Sequence, residues 1–563
     1  MTDAAAQVEA AKLALAQAEA ALAAGQSASS GDSGRAGPLT AAQVATIKAG
    51  YAFDAPALEM GALVNGEPLA DVPVRIPLAM VNRHGLVAGA TGTGKTKTLQ
   101  VLAEQLSANG VPVFAADIKG DLSGIASAGE PSDTLLERTR SIGQHWSGVA
   151  SPTEYYTLGG VGVGIPIRAT VSSFGPLLLS KVLGLNDTQE SSLGLVFHYA
   201  DQAGLPLVGL DDLRAVLQWL VSDEGKPELK SLGGLSGATA GVILRELIGF
   251  SDQGADVFFG EPEIDTSLFL RTTADGRGIV SLLEIPGVQE RPAVFSTFLM
   301  WLLADLFNDL PEVGDIDKPK LVFFFDEAHL LFKDASKDFV DSITQTVRLI
   351  RSKGVGIFFV TQTPKDVPGD VLAQLGSRVQ HQLRAHTPDD ARALRATVST
   401  YPTSGYQLGE VLQELAIGEA IITVMNEKGA PSPVAWTRLR APQGSMAPTP
   451  AAVIQATVTA SPLLATYGAP IDRESAYELL STKMNAAAAA DANAEQQRAS
   501  KGTQADYDRM IRDMRKSEQA SRPKTTTRTR KADNPLGDML GSRTGQTIVR
   551  EVLRGIFSTL KRK

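Results

Sequence analysis

At 563 residues the chain is too long for one compact domain, and its 43% hydrophobic and 20% charged residues are ordinary for a globular protein. The absence of cysteine excludes disulfides, zinc–thiolate sites and thiol chemistry. The net charge of −9 hides an asymmetry: from Arg498 onward 17 Lys/Arg face 7 Asp/Glu, a net of +10, so the first 497 residues carry −19. A basic tail on an acidic body suits a polyanion or an acidic surface, and equally a solvated tail. No apolar run approaches the ~18–20 residues of a membrane span. The N-terminus lacks the basic and apolar stretches of a secretory signal, so a cytoplasmic location is expected.

In chain order, residues 1–40 begin with an Ala-rich helix over 3–25 and continue as a flexible linker, GQSASSGDSGRAGP. Residues 41–440 carry short strand-like pieces from Pro56 to Met80, then alternating strands and helices. The strands are Gly85–Ala88, Val111–Ala116, Ile279–Glu284, Leu321–Phe325 and Gly356–Thr361. Such alternation predicts an α/β fold with a mainly parallel sheet. Between about 170 and 260, segments such as LRAVLQWLV have helical spacing and read as a helical insertion. Residues 441–535 read as a low-complexity, largely disordered linker. Residues 536–563 read as a basic amphipathic helix, striped by Ile548, Val549, Val552, Leu553, Ile556, Phe557 and Leu560. That helix suits an anionic membrane surface or the acidic body; Gly545 and Gly555 and the charge balance favour the body.

Phosphate chemistry enters at GATGTGKT, Gly89–Thr96, which fits G-x-x-x-x-G-K-[ST] between a strand and a helix. Gly89, Gly92 and Gly94 let the backbone turn tightly, so the N–H groups of Gly89, Ala90, Thr91, Gly92, Thr93, Gly94, Lys95, Thr96 and Lys97 converge on phosphate oxygens. Lys95 supplies the charge for β- and γ-phosphates, and the Thr96 hydroxyl is a ligand for Mg²⁺. ATP with Mg²⁺ is the expected ligand.

A second signal is LVFFFDEAH, Leu321–His329. Its apolar run is a buried parallel strand that ends in two carboxylates, where open α/β sheets hold ligands. Asp326 is expected to support the Mg²⁺ shell and Glu327 to polarise the attacking water. In GIFFVTQTP another strand ends at Gln362, a candidate sensor of the γ-phosphate. Arg348, Arg351 and Lys353 cluster at a helix C-terminus, where the dipole alone favours cations. Arg351 is also a candidate finger reaching the site of an adjacent subunit, with Arg378 and Arg384 as rivals. Asp117 and Asp121, in AADIKGDLSG, either face the nucleotide or build a turn.

Taken together, GATGTGKTKTLQ, DIKGDLSG, FFGEP, KPKLVFFFDEAHLLF, RLIRSKGVGIFFVTQTPKDVP and LGSRVQHQLRAHTP resemble the bacterial HerA-like ATPases over about 50–440. The resemblance implies a RecA-like P-loop core of the HerA/FtsK class, which includes DNA translocases working as hexameric rings. By position it implies Lys95 and Thr96 as P-loop residues, Asp326 and Glu327 as strand-end acids, Gln362 as sensor and Arg351 as finger. HerA proper begins with a β-barrel, whereas only about 30 residues, 53–80, precede the first core strand here. A homo-oligomer, most simply a hexamer, is expected. Two functions remain open: a motor acting on DNA, or an ATP-driven switch or scaffold for a protein partner or a membrane surface.

Overall fold

Runs of β-branched and aromatic residues become the strands of a computed structural model that describes residues 37–229, 233–284, 292–332 and 337–486. They are β1 (Ala57–Asn65), β2 (Glu67–Pro77), β3 (Gly85–Ala88), β4 (Val113–Asp117), β5 (Thr153–Leu158), β6 (Ile165–Ile167), β7 (Val280–Glu284), β8 (Leu321–Phe325), β9 (Val355–Thr361), β10 (Ser377–Gln380), β11 (Glu419–Thr423) and β12 (Ala435–Leu439). Among the described residues they form one sheet in the order β2-β1-β12-β11-β10-β3-β9-β8-β4-β7-β5-β6. Every pairing from β10 to β6 is parallel, and every pairing from β10 to β2 is antiparallel. The expected α/β fold with a mainly parallel sheet is therefore present. The short segment before β3 forms no barrel. It is a hairpin, β1–β2, that extends the sheet through β12.

The central strands β3, β4, β8 and β9 are buried at every position because both faces are covered. Phe323 and Phe325 of β8 point into one buried cluster, and Val322 and Phe324 into the other, as the two-residue period of a strand requires. The first cluster takes in the insertion, whose helices include Val171–Val182, Asp187–Gln202, Leu210–Val221 and Gly237–Asp252. Phe258, Phe298 and Trp301 meet there at centroid distances of 5.5–6.3 Å. The helical insertion thus follows its apolar periodicity, while β5 and β6, just before it, carry the sheet outward.

Residues 441–486 depart from the sequence expectation. They do not begin a disordered linker: they hold helices Ala451–Ala460, Leu463–Tyr467 and 476–486. Two things hold them: Ile454, Val458, Ala476 and Leu480 are buried in the core, and the backbone is hydrogen-bonded to partners distant in sequence. The buried Glu104 carboxylate accepts from Gln443 N at 2.8 Å and Gly444 N at 2.7 Å. Gln100 Nε2 donates to Ser445 O at 3.0 Å, and Thr449 exchanges two bonds with Ser123. Composition shows none of this. Glu104→Ala leaves two backbone N–H groups of this strap without an acceptor, so a stability loss of ~2–3 kcal/mol is expected. A urea midpoint equal to the parent's would contradict it. The remainder of that linker, the Ala-rich N-terminal helix and the basic C-terminal helix lie outside the described residues.

Candidate nucleotide site

The site forms where parallel strands end. β3 runs into Gly89, and the helix Lys95–Ala108 starts six residues later. Gly94 has φ +110°, a conformation that side chains with a Cβ avoid. A Cβ on Gly89 would lie 2.4 Å from the Cβ of His381, so glycine is dictated there by contact. Gly89 N donates to Thr361 O at 3.2 Å, Ala90 N to Gln382 O at 2.8 Å, and Gly418 N to Thr93 O at 3.1 Å. Three neighbouring segments therefore hold the loop. Lys95 Nζ lies over it, donating to Gly89 O at 2.7 Å and Ala90 O at 3.2 Å. Burial lowers the Lys95 pKa, while Glu327 and Asp326 oppose that shift. Thr96 is half-buried at the second helical position. Lys97 points elsewhere, donating to Met446 O of the strap at 2.7 Å, so its ammonium braces the fold while its backbone N–H lies in the first turn of the helix.

β9 separates β3 from β8 and brings its own end to the loop, with Ala88 opposite Thr361. Gln362 follows directly and is exposed. At the end of β8, Glu327 takes φ +48°, a left-handed conformation rare for a non-glycine residue. The bend is held because Ala328 N donates to Val360 O at 2.8 Å and Glu327 N to Asp326 Oδ1 at 2.9 Å. Burial raises the Asp326 pKa to about 6, with Glu327 adding to it. Burial also acts to raise Glu327, but Lys119, His329 and Lys95 outweigh it and hold that carboxyl below its ordinary value.

Two residues were not singled out from sequence, although both lie in motifs already noted. Lys119 Nζ meets Glu327 Oε1 at 2.5 Å. His381 sits fully buried under the loop, its Nε2 2.9 Å from Thr98 Oγ1, and burial followed by the Lys95 charge lowers its pKa to about 4. Asp117 turns back on its own loop, accepting from Leu122 N at 2.8 Å and Lys119 N at 3.3 Å. Of the two alternatives for Asp117, the turn is the one observed, and it aims Lys119.

The arginines separate. Arg351 lies in a turn before β9, Arg351–Lys353, at the opposite end of the strands from the loop. Seven extended residues span roughly 23 Å, so Arg351 is not brought to its own chain's site. Lys353 is structural, donating to Leu310 O at 2.8 Å with its ammonium 4.9 Å from the centre of the Phe307 ring. Arg378 donates to Thr400 Oγ1 at 2.7 Å, away from the loop. Arg384 is beside the loop, with Nη2 3.4 Å from Thr91 O.

For Mg²⁺ the chemistry of the donors fits: a threonine hydroxyl and a carboxylate are the hard oxygens it takes. Glu327 Oε2 is buried and has no hydrogen-bond partner among the described residues, although His329 Nδ1 is 3.3 Å away. No helix among the described residues is long and apolar enough to cross a membrane.

The chain is 22% identical over 356 residues to "Probable helicase MJECL08" of Methanocaldococcus jannaschii, covering 61% of this chain and 64% of that protein. The chain thus spans less than two thirds of that relative. Among solved structures it is similar to the bacterial conjugative coupling protein TrwBdeltaN70, at 17% identity and TM-score 0.48, over 72% of this chain and 94% of that one. It is also similar to VirB4 of Thermoanaerobacter pseudethanolicus, at 15% identity and TM-score 0.42, over 69% and 98%. The family model "Helicase HerA-like C-terminal" matches residues 63–563, a span that includes the glycine loop, the Lys119 turn and the acid pair alike, and the chain belongs to that HerA-like family.

Proposed function

We propose that the chain is a Mg²⁺-dependent ATP hydrolase that works as a ring, a hexamer by preference, and acts on DNA. One observation carries the hydrolase reading. A buried Glu327 at φ +48° stands one strand from the glycine loop, one carboxylate oxygen bonded to Lys119 and the other, beside His329, without a hydrogen-bond partner among the described residues. Such a carboxylate is suited to take a proton from water. Lys95 and the loop N–H groups bind the phosphates and stabilise charge that grows on them in the transition state. Mg²⁺ would be held by Thr96 and Asp326 and would neutralise phosphate charge. Gln362, exposed at the end of β9, would contact the γ-phosphate side. Arg351 would act in a neighbouring subunit, since it lies at the far end of its own sheet.

Action on DNA rests on family membership, and the acidic body favours a second reading, a switch working on a protein partner or a membrane surface. ATPase rate with and without DNA separates them. The motor reading expects stimulation by DNA that declines steeply with added salt, as counterions compete for phosphate contacts. Absence of stimulation by any DNA at low salt would transfer the proposal to the switch.

A further inference from the structure

We propose that Lys119 is a positioning residue for Glu327: its bond to one carboxylate oxygen fixes the orientation of that carboxylate beside the glycine loop. The proposal rests on Glu327 being the base for that water.

The pairing is one-sided. Lys119 Nζ takes Oε1 at 2.5 Å, while Oε2 has no hydrogen-bond partner among the described residues. Lys119 is not a mobile surface lysine that has wandered onto an acid. Its backbone is fixed by the Asp117 carboxylate, which accepts from both Lys119 N and Leu122 N. The same turn is closed by Ser123 Oγ, which donates to Gly120 O at 2.7 Å. It is anchored to the strap by the two Ser123–Thr449 bonds. The strand beneath supplies the register: β4 pairs with β8 with Ala116 opposite Phe325, so the residues after each strand project side by side.

The two lysines of the site have different attachments. Lys95 lies over the glycine loop, bonded to its carbonyls, whereas Lys119 reaches the acid. Glu327 is 5% exposed in its side chain, so few rotamers are open to it, but nothing in a buried carboxylate by itself selects one oxygen over the other. A charge-assisted hydrogen bond to one oxygen does so. His329 Nδ1, 3.3 Å from the buried Oε2, flanks that oxygen without a well-directed bond to it. Sub-ångström aim at a reacting atom is where such a bond tells, because a 1 Å error costs about 10²-fold in rate.

The full-length chain tests this with Lys119→Met, Lys119→Arg, Glu327→Gln and the double variant Lys119→Met with Glu327→Gln. The readouts are kcat and KM for ATP and the Kd of a fluorescent ATP analogue. Lys119→Met is expected to lower kcat about 10²-fold and to leave KM and Kd unchanged. Lys119→Arg, which can still donate to Oε1, restores most of the rate. In the Glu327→Gln background, Lys119→Met produces no further loss, since the two act as one unit. A Kd that rises in Lys119→Met would overturn the proposal, because the lysine would then act on the nucleotide. A parental kcat, or a further loss in the double variant, would overturn it as well. If Lys119→Met melts early, Lys119→Leu, which likewise cannot donate to Oε1, takes its place with the same expectations. An active Glu327→Gln removes instead the underlying assignment of the base.

Discussion

Glu327→Gln binds ATP as the parent does and hydrolyses it ~10²–10⁴-fold more slowly, the usual contribution of a positioned general base. The amide nearly matches the carboxylate in shape, so the bend at φ +48° and the bond from Ala328 N to Val360 O persist. What disappears is the basic carboxylate. In the proposed mechanism phosphate binding falls to the glycine loop and Lys95, on the other side of β9, and is expected to be untouched. Turnover measured beside analogue affinity checks this; near-parental kcat would refute the assignment. Glu327→Gln also tests the ring. Mixed with Arg351→Ala subunits, it creates interfaces that join an intact Glu327 to an intact Arg351 across chains. Partial recovery of activity is expected, because Arg351 lies too far along the sheet to serve its own site. A fully active monomer would exclude the trans arrangement.

Lys95→Ala loses both binding and turnover. The ammonium is partly buried and close enough to the acid pair for each to influence the other's ionisation. Removing it leaves the loop N–H groups to hold the phosphates without a counter-charge. A charge-assisted hydrogen bond contributes ~1.5–3 kcal/mol, so affinity falls roughly 10- to 100-fold. Turnover becomes undetectable because charge developing in the transition state also loses its partner. Folding changes little, since the bonds of Lys95 to Gly89 O and Ala90 O are replaceable by water at a half-buried position. Calorimetric titration with ATP, beside a melting curve, is the check. Normal affinity in a folded variant would remove Lys95 from the site. The pair of variants is diagnostic together: one separates chemistry from binding, and the other removes both.

The glycine loop, the strand-end acids and the parallel core were legible in the sequence because each is written in contiguous residues. A run such as LVFFFDE states its burial and its terminus locally, and G-x-x-x-x-G-K-T states a backbone conformation. The helical insertion was legible for the same reason. Tertiary structure alone decided which strand ends adjoin. That β4 neighbours β8, so that Lys119 reaches Glu327 across 208 residues of sequence, follows from strand order, which no local period encodes. His381 beneath the loop and Glu104 gripping the 443–444 backbone are of the same kind. The strap shows the physical reason most directly. Its Pro- and Ala-rich composition is that of a linker, yet Ile454, Val458, Ala476 and Leu480 are buried in the core and buried acceptors elsewhere in the chain hold its backbone.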